Sequence, residues 1–208
     1  TFNDRLLLGM KGQMSEAELH FIKARLRGGQ LSKARRGELI TPLPVGLVYD
    51  GAHHVILDPD TAVRGALAHL FSTFEATGSA SACVKAFHTA GLLFPWRHLK
   101  GPRKGEIDWK PLAHSTALRV LHNPRYAGAF TYGRHSHHTM PGGKTVTTQL
   151  PREQWVSFIP GAHPGYITLD RYDANLARLQ SNAAAHGRER RSGPPREGPA
   201  LLQGIIVC

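Results

Sequence analysis

The side chains with the widest chemical repertoire in this chain are its thirteen histidines. The densest groups are His53-His54 and His135-x-His137-His138. Adjacent residues of a strand point to opposite faces, and the second group sits in a Gly-rich stretch with no Cys, Asp or Glu beside it, so neither offers the ligand set of a zinc site. No Gly-rich phosphate loop, nucleophile elbow or His-Glu-x-x-His pattern is present. Acids are few and scattered, and catalysis by this chain's own residues is not expected. Its two cysteines, Cys83 and Cys208, cannot build a disulfide framework, which points to a reducing compartment. Cys83, among Val84, Ala86 and Phe87, is expected to be a small core residue.

The remaining chemistry is cationic. Lys and Arg number 26 against 15 acids, for a net charge of +11 and an isoelectric point near 10.2, which suits a polyanionic partner. The charges fall in groups: Arg25, Arg27, Lys33, Arg35 and Arg36, then Arg97, Lys100, Arg103 and Lys104 between glycines. Arg119 stands on a short helix that begins near His114, Ser115 and Thr116, and Arg134 follows a strand. Loop lysines and arginines suit phosphates, whereas Arg119 and the start of its helix suit base edges. An RNA-associated or purely oligomerising basic protein is the competing reading.

The elements that must carry these groups follow from periodicity. Residues 3–36 lack proline and predict one long helix, with Leu7, Met10, Met14, Ala17, Phe21, Ala24, Gly28 and Leu31 spaced as a heptad seam for another helix. Gly9, Gly12, Gly28 and Gly29 weaken it, and Ser15-Glu16-Ala17-Glu18 is a capping box, so a break near Gly12 is the fallback. Residues 37–44 predict a linker, and 45–49 with 55–57 a hairpin. A helix with Asp58 as N-cap follows, burying Val63, Leu67, Leu70, Phe71 and Phe74 and ending at Gly78. A shorter helix capped by Ser79 or Ser81 runs to Ala90.

Residues 94–109 are expected to form a loop anchored by Trp96 and Trp109, and a third helix spans 115–122. The two short helices would form a helix-turn-helix-like unit with an unusually long connection. Strands at 129–133 and 155–159 flank a hairpin, and a last helix starts at Thr168 or Asp170. Residues 186–200 are expected to form a flexible linker, and 201–208 to open a new strand. The predicted class is α+β, mainly helical, with a domain over 45–185. No run of about 18 apolar residues suits a membrane, no signal peptide precedes the first helix, and the missing initiator Met suggests a fragment.

Residues Asp4 to Leu19 (DRLLLGMKGQMSEAEL) resemble the end of the serine recombinase (resolvase/invertase) catalytic domain, where a long helix begins. His122-Asn123-Pro124-Arg125-Tyr126-Ala127-Gly128, followed by Tyr132-Gly133-Arg134, resembles the signature closing the recombinase domain of the large serine recombinases. Leu202 to Cys208 is similar to the strand entering that family's zinc ribbon. The resemblance implies a bacterial or phage cytoplasmic protein that binds double-stranded attachment- or resolution-site DNA as a dimer, and as a tetramer during strand exchange. It also implies that a serine upstream of Thr1 forms a 5′-phosphoserine linkage, that Glu18 supports that site unless it only completes the capping box, and that Cys208 is a zinc ligand in the full-length protein. No cofactor is expected in this fragment, and zinc is expected in the full-length protein. In one departure, Leu112, Ala113 and His114 separate Trp109-Lys110-Pro111 from Ser115, where many relatives have Trp-x-Pro-Ser.

Overall fold

The computed structural model describes residues 2–187, so Thr1, the expected linker beyond residue 187, the strand from Leu201 and Cys208 lie outside the described residues. The chain opens with α1, an unbroken helix over Phe2–Arg35, and the alternative break near Gly12 does not occur. Nothing within 4 Å faces the position of an added Cβ at Gly28 or Gly29. Residues 14–30 are all exposed, and burial begins only where Leu31 and Ala34 reach the rest of the chain beside strand 157–159. Gly37, at φ +77°, ends the helix in a Schellman arrangement: its N–H donates to the Ala34 carbonyl and that of Glu38 to Lys33.

The linker that follows has no regular structure, yet it is tied down. The Tyr49 hydroxyl bonds the Thr41 backbone twice, the Tyr126 hydroxyl donates to the Val45 carbonyl, and that of Tyr166 donates to Gly46. Strands β1 (Leu47–Tyr49) and β2 (Val55–Leu57) pair antiparallel. Their turn is held by the Asp50 carboxylate, which accepts from the N–H groups of Ala52 and His54.

Four helices build most of the core, joined by Phe94, Leu112 and the Tyr126 side chain from a turn. Helix α2 (Thr61–Thr77) buries Val63, Leu67, Leu70, Phe71 and Phe74, as its apolar spacing predicts. Its N-cap is Asp60, whose carboxylate accepts from Ala62 N–H, and not Asp58, which is buried and bonds elsewhere. Gly78 closes α2 in the left-handed region, and Ser79 caps α3 (Ala80–Thr89). Cys83 and Phe87 of α3, Ala117, Val120 and Leu121 of α4 (His114–Leu121), Leu179 of α5 (Leu169–Gly187) and Tyr126 complete the cluster. Each large apolar side chain buried this way contributes about 1.5–3 kcal/mol. Helix α4 starts one residue earlier than its spacing predicts, behind Ala113, which provides no side-chain cap. Thr168, and not Asp170, begins α5 by accepting from Arg171 N–H.

The segment 94–109, expected to be a loop, instead contains two paired strands, β3 (Phe94–Arg97) and β4 (Ile107–Lys110). Buried Phe94 and the aromatic Trp96 and Trp109 are residues that strands favour, a signal hidden in sequence by the intervening basic turn. Strand β5 (Phe130–Tyr132) pairs with β8 (Ser157–Ile159), while β6 (His135–Thr139) and β7 (Thr145–Gln149) form the expected hairpin. Between α4 and β5, Asn123-Pro124-Arg125-Tyr126-Ala127-Gly128 makes a buried 3₁₀ turn. The Asn123 side chain accepts from Arg125 N–H, and Gly128 sits at φ +74° against the His163 carbonyl. The architecture is α+β, as expected, with short antiparallel strand pairs around a helical core.

Candidate nucleic-acid interface

Helix α4 buries Ala117, Val120 and Leu121 and turns His114, Ser115 and Arg119 outward, with Thr116 half-buried. It packs on α3, and the long connection between them is taken up by the β3–β4 pair. The Arg119 guanidinium lies 4.6 Å from the centre of the Trp96 ring, and Lys110 Nζ lies 6.0 Å from it. Trp96 thereby orients two cations beside the exposed face of α4. Trp109, expected as an anchor, is itself exposed.

The basic turn between β3 and β4 divides into spent and available charge. Lys100 and Lys104 are exposed. Arg103 bonds Glu106 and Asp108, each at 2.6 Å, and His98 reaches Asp108 at 2.8 Å. Hydrogen bonds from His98 and Arg103 hold the Asp108 carboxyl well below the usual carboxylate range. Arg103 is therefore largely neutralised where it stands. Arg97, expected to contact phosphate, points inward: its guanidinium pairs with buried Asp58 at 2.7 Å and donates to the Leu47 carbonyl, tying β3 to the β1–β2 hairpin. Its donors satisfy buried acceptors, a need invisible without the tertiary contact.

Beside α4 lies a groove of about 640 Å³, walled by the linker at Thr41 to Val45, by β3 and its turn from Phe94 through Arg97 to Lys100, and by α4 with the chain from Asn123 to the start of β6. Lys100, Thr116, Arg119 and Arg134, all predicted as interface residues, meet there, and no Asp or Glu lines it. Arg134 donates to the His122 carbonyl at 2.7 Å, to Asn123 Oδ1 at 3.4 Å, and lies over Trp155. Sequence reasoning missed Arg125 as a groove residue. It is nearly buried, bonding Thr41 Oγ1 at 2.6 Å and the Pro42 and Thr131 carbonyls. Desolvation lowers the pKa of both arginines, and the neighbouring Arg134 charge depresses Arg125 further.

On α1, Arg25, Arg27, Lys33 and Arg35 are exposed, while Arg36 is held by Glu38 at 2.8 Å and by Ser32. Glu18 is exposed on the same rod, beside Ala17 of the seam and seven residues before Arg25. Met10, Met14, Ala17, Phe21 and Ala24 of the seam are exposed, and the Leu7 side chain lies outside the described residues. A second exposed apolar row, Leu19, Ile22 and Leu26, lies on the opposite side of the helix. Its 3–4 spacing was legible but was overlooked beside the longer seam. Among the described residues no group of three or more His, Cys, Asp or Glu is placed to hold a metal ion. No described helix is long and apolar enough to cross a membrane.

A compact helical module with an acid-free cationic groove, carried at the end of a long exposed helix, is the class of structure that these features define. A sequence model of the Recombinase family matches residues 65–182, from within α2 into α5, and the chain belongs to that family. A protein of Sinorhizobium fredii, described as uncharacterized protein y4bA/y4pH, is 49% identical over 207 residues; the match covers all of this chain and 30% of that protein's length. A solved chain described as a crystal structure of an LSR-DNA complex is similar with a TM-score of 0.49 and 14% identity, over 86% of this chain and 42% of that one.

Proposed function

We propose that this chain is the DNA-binding region of a serine site-specific recombinase that integrates, excises or inverts DNA, its nucleophilic serine lying upstream and acting through a 5′-phosphoserine intermediate. The observation that carries this reading is the family match over residues 65–182 falling on the module with an acid-free cationic groove. The partner is double-stranded DNA. Lys100, Lys104 and the α1 cations Arg25, Arg27, Lys33 and Arg35 supply phosphate contacts, and His114, Ser115 and Thr116 face bases. The α1 seam from Met10 to Ala24 pairs with a second copy in a dimer and joins a tetramer when two sites are brought together. In the full-length protein, Cys208 is the first ligand of a zinc site, and zinc content is its check.

Fluorescence anisotropy across a salt series tests the central claim. The probe is a duplex selected from a random pool by the chain itself. Six or more phosphate contacts lower affinity by roughly a thousandfold between 50 and 200 mM salt, since each released counterion contributes to the slope. A salt response near zero, or preference for structured RNA of equal length, would overturn the reading.

A further inference from the structure

Arg125 presents a physical difficulty that the fold alone does not resolve. A guanidinium cannot shed its proton in a protein, so Arg125 stays charged although only 9% of its surface is exposed. Its partners are one hydroxyl and two carbonyls, and among the described residues no acid lines the groove. Arg134 repeats the pattern: it is half-buried, it bonds a carbonyl and an amide oxygen, and its Nε is buried with no partner among the described residues. Buried charges are ordinarily paired, because removing them from water is costly. Arg97, on the same groove, obeys that rule through buried Asp58.

The donor inventory points the same way. Of the five N–H groups of each guanidinium, the observed bonds occupy three on Arg125 and two on Arg134. Arg119, oriented by Trp96, adds a third cation on the groove wall. No Asp or Glu stands between Asp108 and Glu153, the stretch that supplies all three arginines. The acid-free wall is thus a property of the sequence as well as of the side-chain directions.

We propose that this groove is a phosphodiester-binding site, in which Arg119, Arg125 and Arg134 hold a backbone phosphate of duplex DNA between the linker and α4. This rests on the DNA-binding reading and adds a location to it. The anion supplies the missing counter-charge, and charge-assisted bonds from planar guanidiniums suit its oxygens. Arg125 simultaneously holds Thr41 and Pro42. A phosphate gripped there therefore fixes the linker, and through it the exit of α1, relative to the DNA strand.

The test uses the duplex selected by the chain, with each phosphate neutralised in turn by a methylphosphonate. One position is expected where neutralisation weakens wild-type binding about tenfold, as for a charge-assisted contact. At that position the loss shrinks to below twofold in Arg119→Ala and in Arg125→Gln. Arg119 is exposed and its substitution leaves the core intact, so the result stands even if Arg125→Gln unfolds, which circular dichroism reports. If every position loses affinity equally in wild type and Arg119→Ala, the groove assignment is wrong while the DNA-binding reading survives. If no duplex is enriched at all, both fall.

Discussion

Helix α1 and the module at its end obey different rules. In the module, α2, α3, α4 and α5 each bury a face, and several buried polar groups are bonded within the chain: Arg97 to Asp58, Tyr126 to Val45, Tyr172 to the His122 carbonyl. Along α1, residues 14–30 expose everything, including Phe21 at 70% and Leu26 at 68%. The module is stabilised by contacts within the chain. The rod carries two opposed apolar rows with no covering element among the described residues. The lesson is that one continuous helix can be packed into its own module at one end and bare along its length.

The sharpest way to break that contrast is a matched pair of truncations. Phe74→Ala in the module should cost about 3–5 kcal/mol, the usual range for a buried aromatic, measured by urea denaturation. Phe21→Ala on the rod should leave the module's unfolding midpoint unchanged and weaken self-association in sedimentation. Equal destabilisation by both would erase the distinction. Gly128→Ala comes next. It forces a Cβ into the left-handed region and to 2.4 Å from the His163 carbonyl, at a cost of about 1–3 kcal/mol, whereas Gly28 and Gly29 of the rod meet no such wall.

Alkaline pH should act on the module. Burial raises the Cys83 thiol from 9.0 to about 11 and the Tyr166 hydroxyl from 10.0 to about 12. Because the folded pKa exceeds the unfolded one, the contribution is fully present below pH 9 and is lost as pH rises through 11 to 12, by on the order of 2 kcal/mol. Stability that stays flat from pH 8 to 11 would argue that Cys83 is accessible. The smallest effects have opposite signs in the two regions. Ser79→Ala removes the α3 cap and should cost about 1 kcal/mol. Gly28→Ala, which meets nothing within 4 Å, should instead raise α1 helicity by about 1 kcal/mol, visible in circular dichroism.

Local signals were the legible part of the fold. The Gly78–Ser79 stop and start, the apolar face of α2 and the Asn123-Pro124 helix end all appear where composition places them, because caps and glycines act within a few residues. Misplacements arose where a nearby alternative was equally good locally: Asp58 against Asp60 as N-cap, and a Gly-rich basic turn that concealed the β3–β4 pair. The candidate site was half legible. Thr116, Arg119, Lys100, Arg134 and Arg97 were named and do converge on the groove, although the Arg97 guanidinium is paired inward with Asp58, whereas Arg125 was missed. What the spacing hid, the Arg97 pairing and the Arg125 position, concerns partners 39 and about 84 residues away in the chain.

By itself the sequence determined the helical segments, the surplus of positive charge and the acid-free stretch between Asp108 and Glu153, since these depend on neighbours and composition. Which arginines are consumed inside and which line a groove was decided only by tertiary packing. The reason is that a guanidinium's role depends on the acceptors brought beside it, and chain folding, not spacing, delivers them.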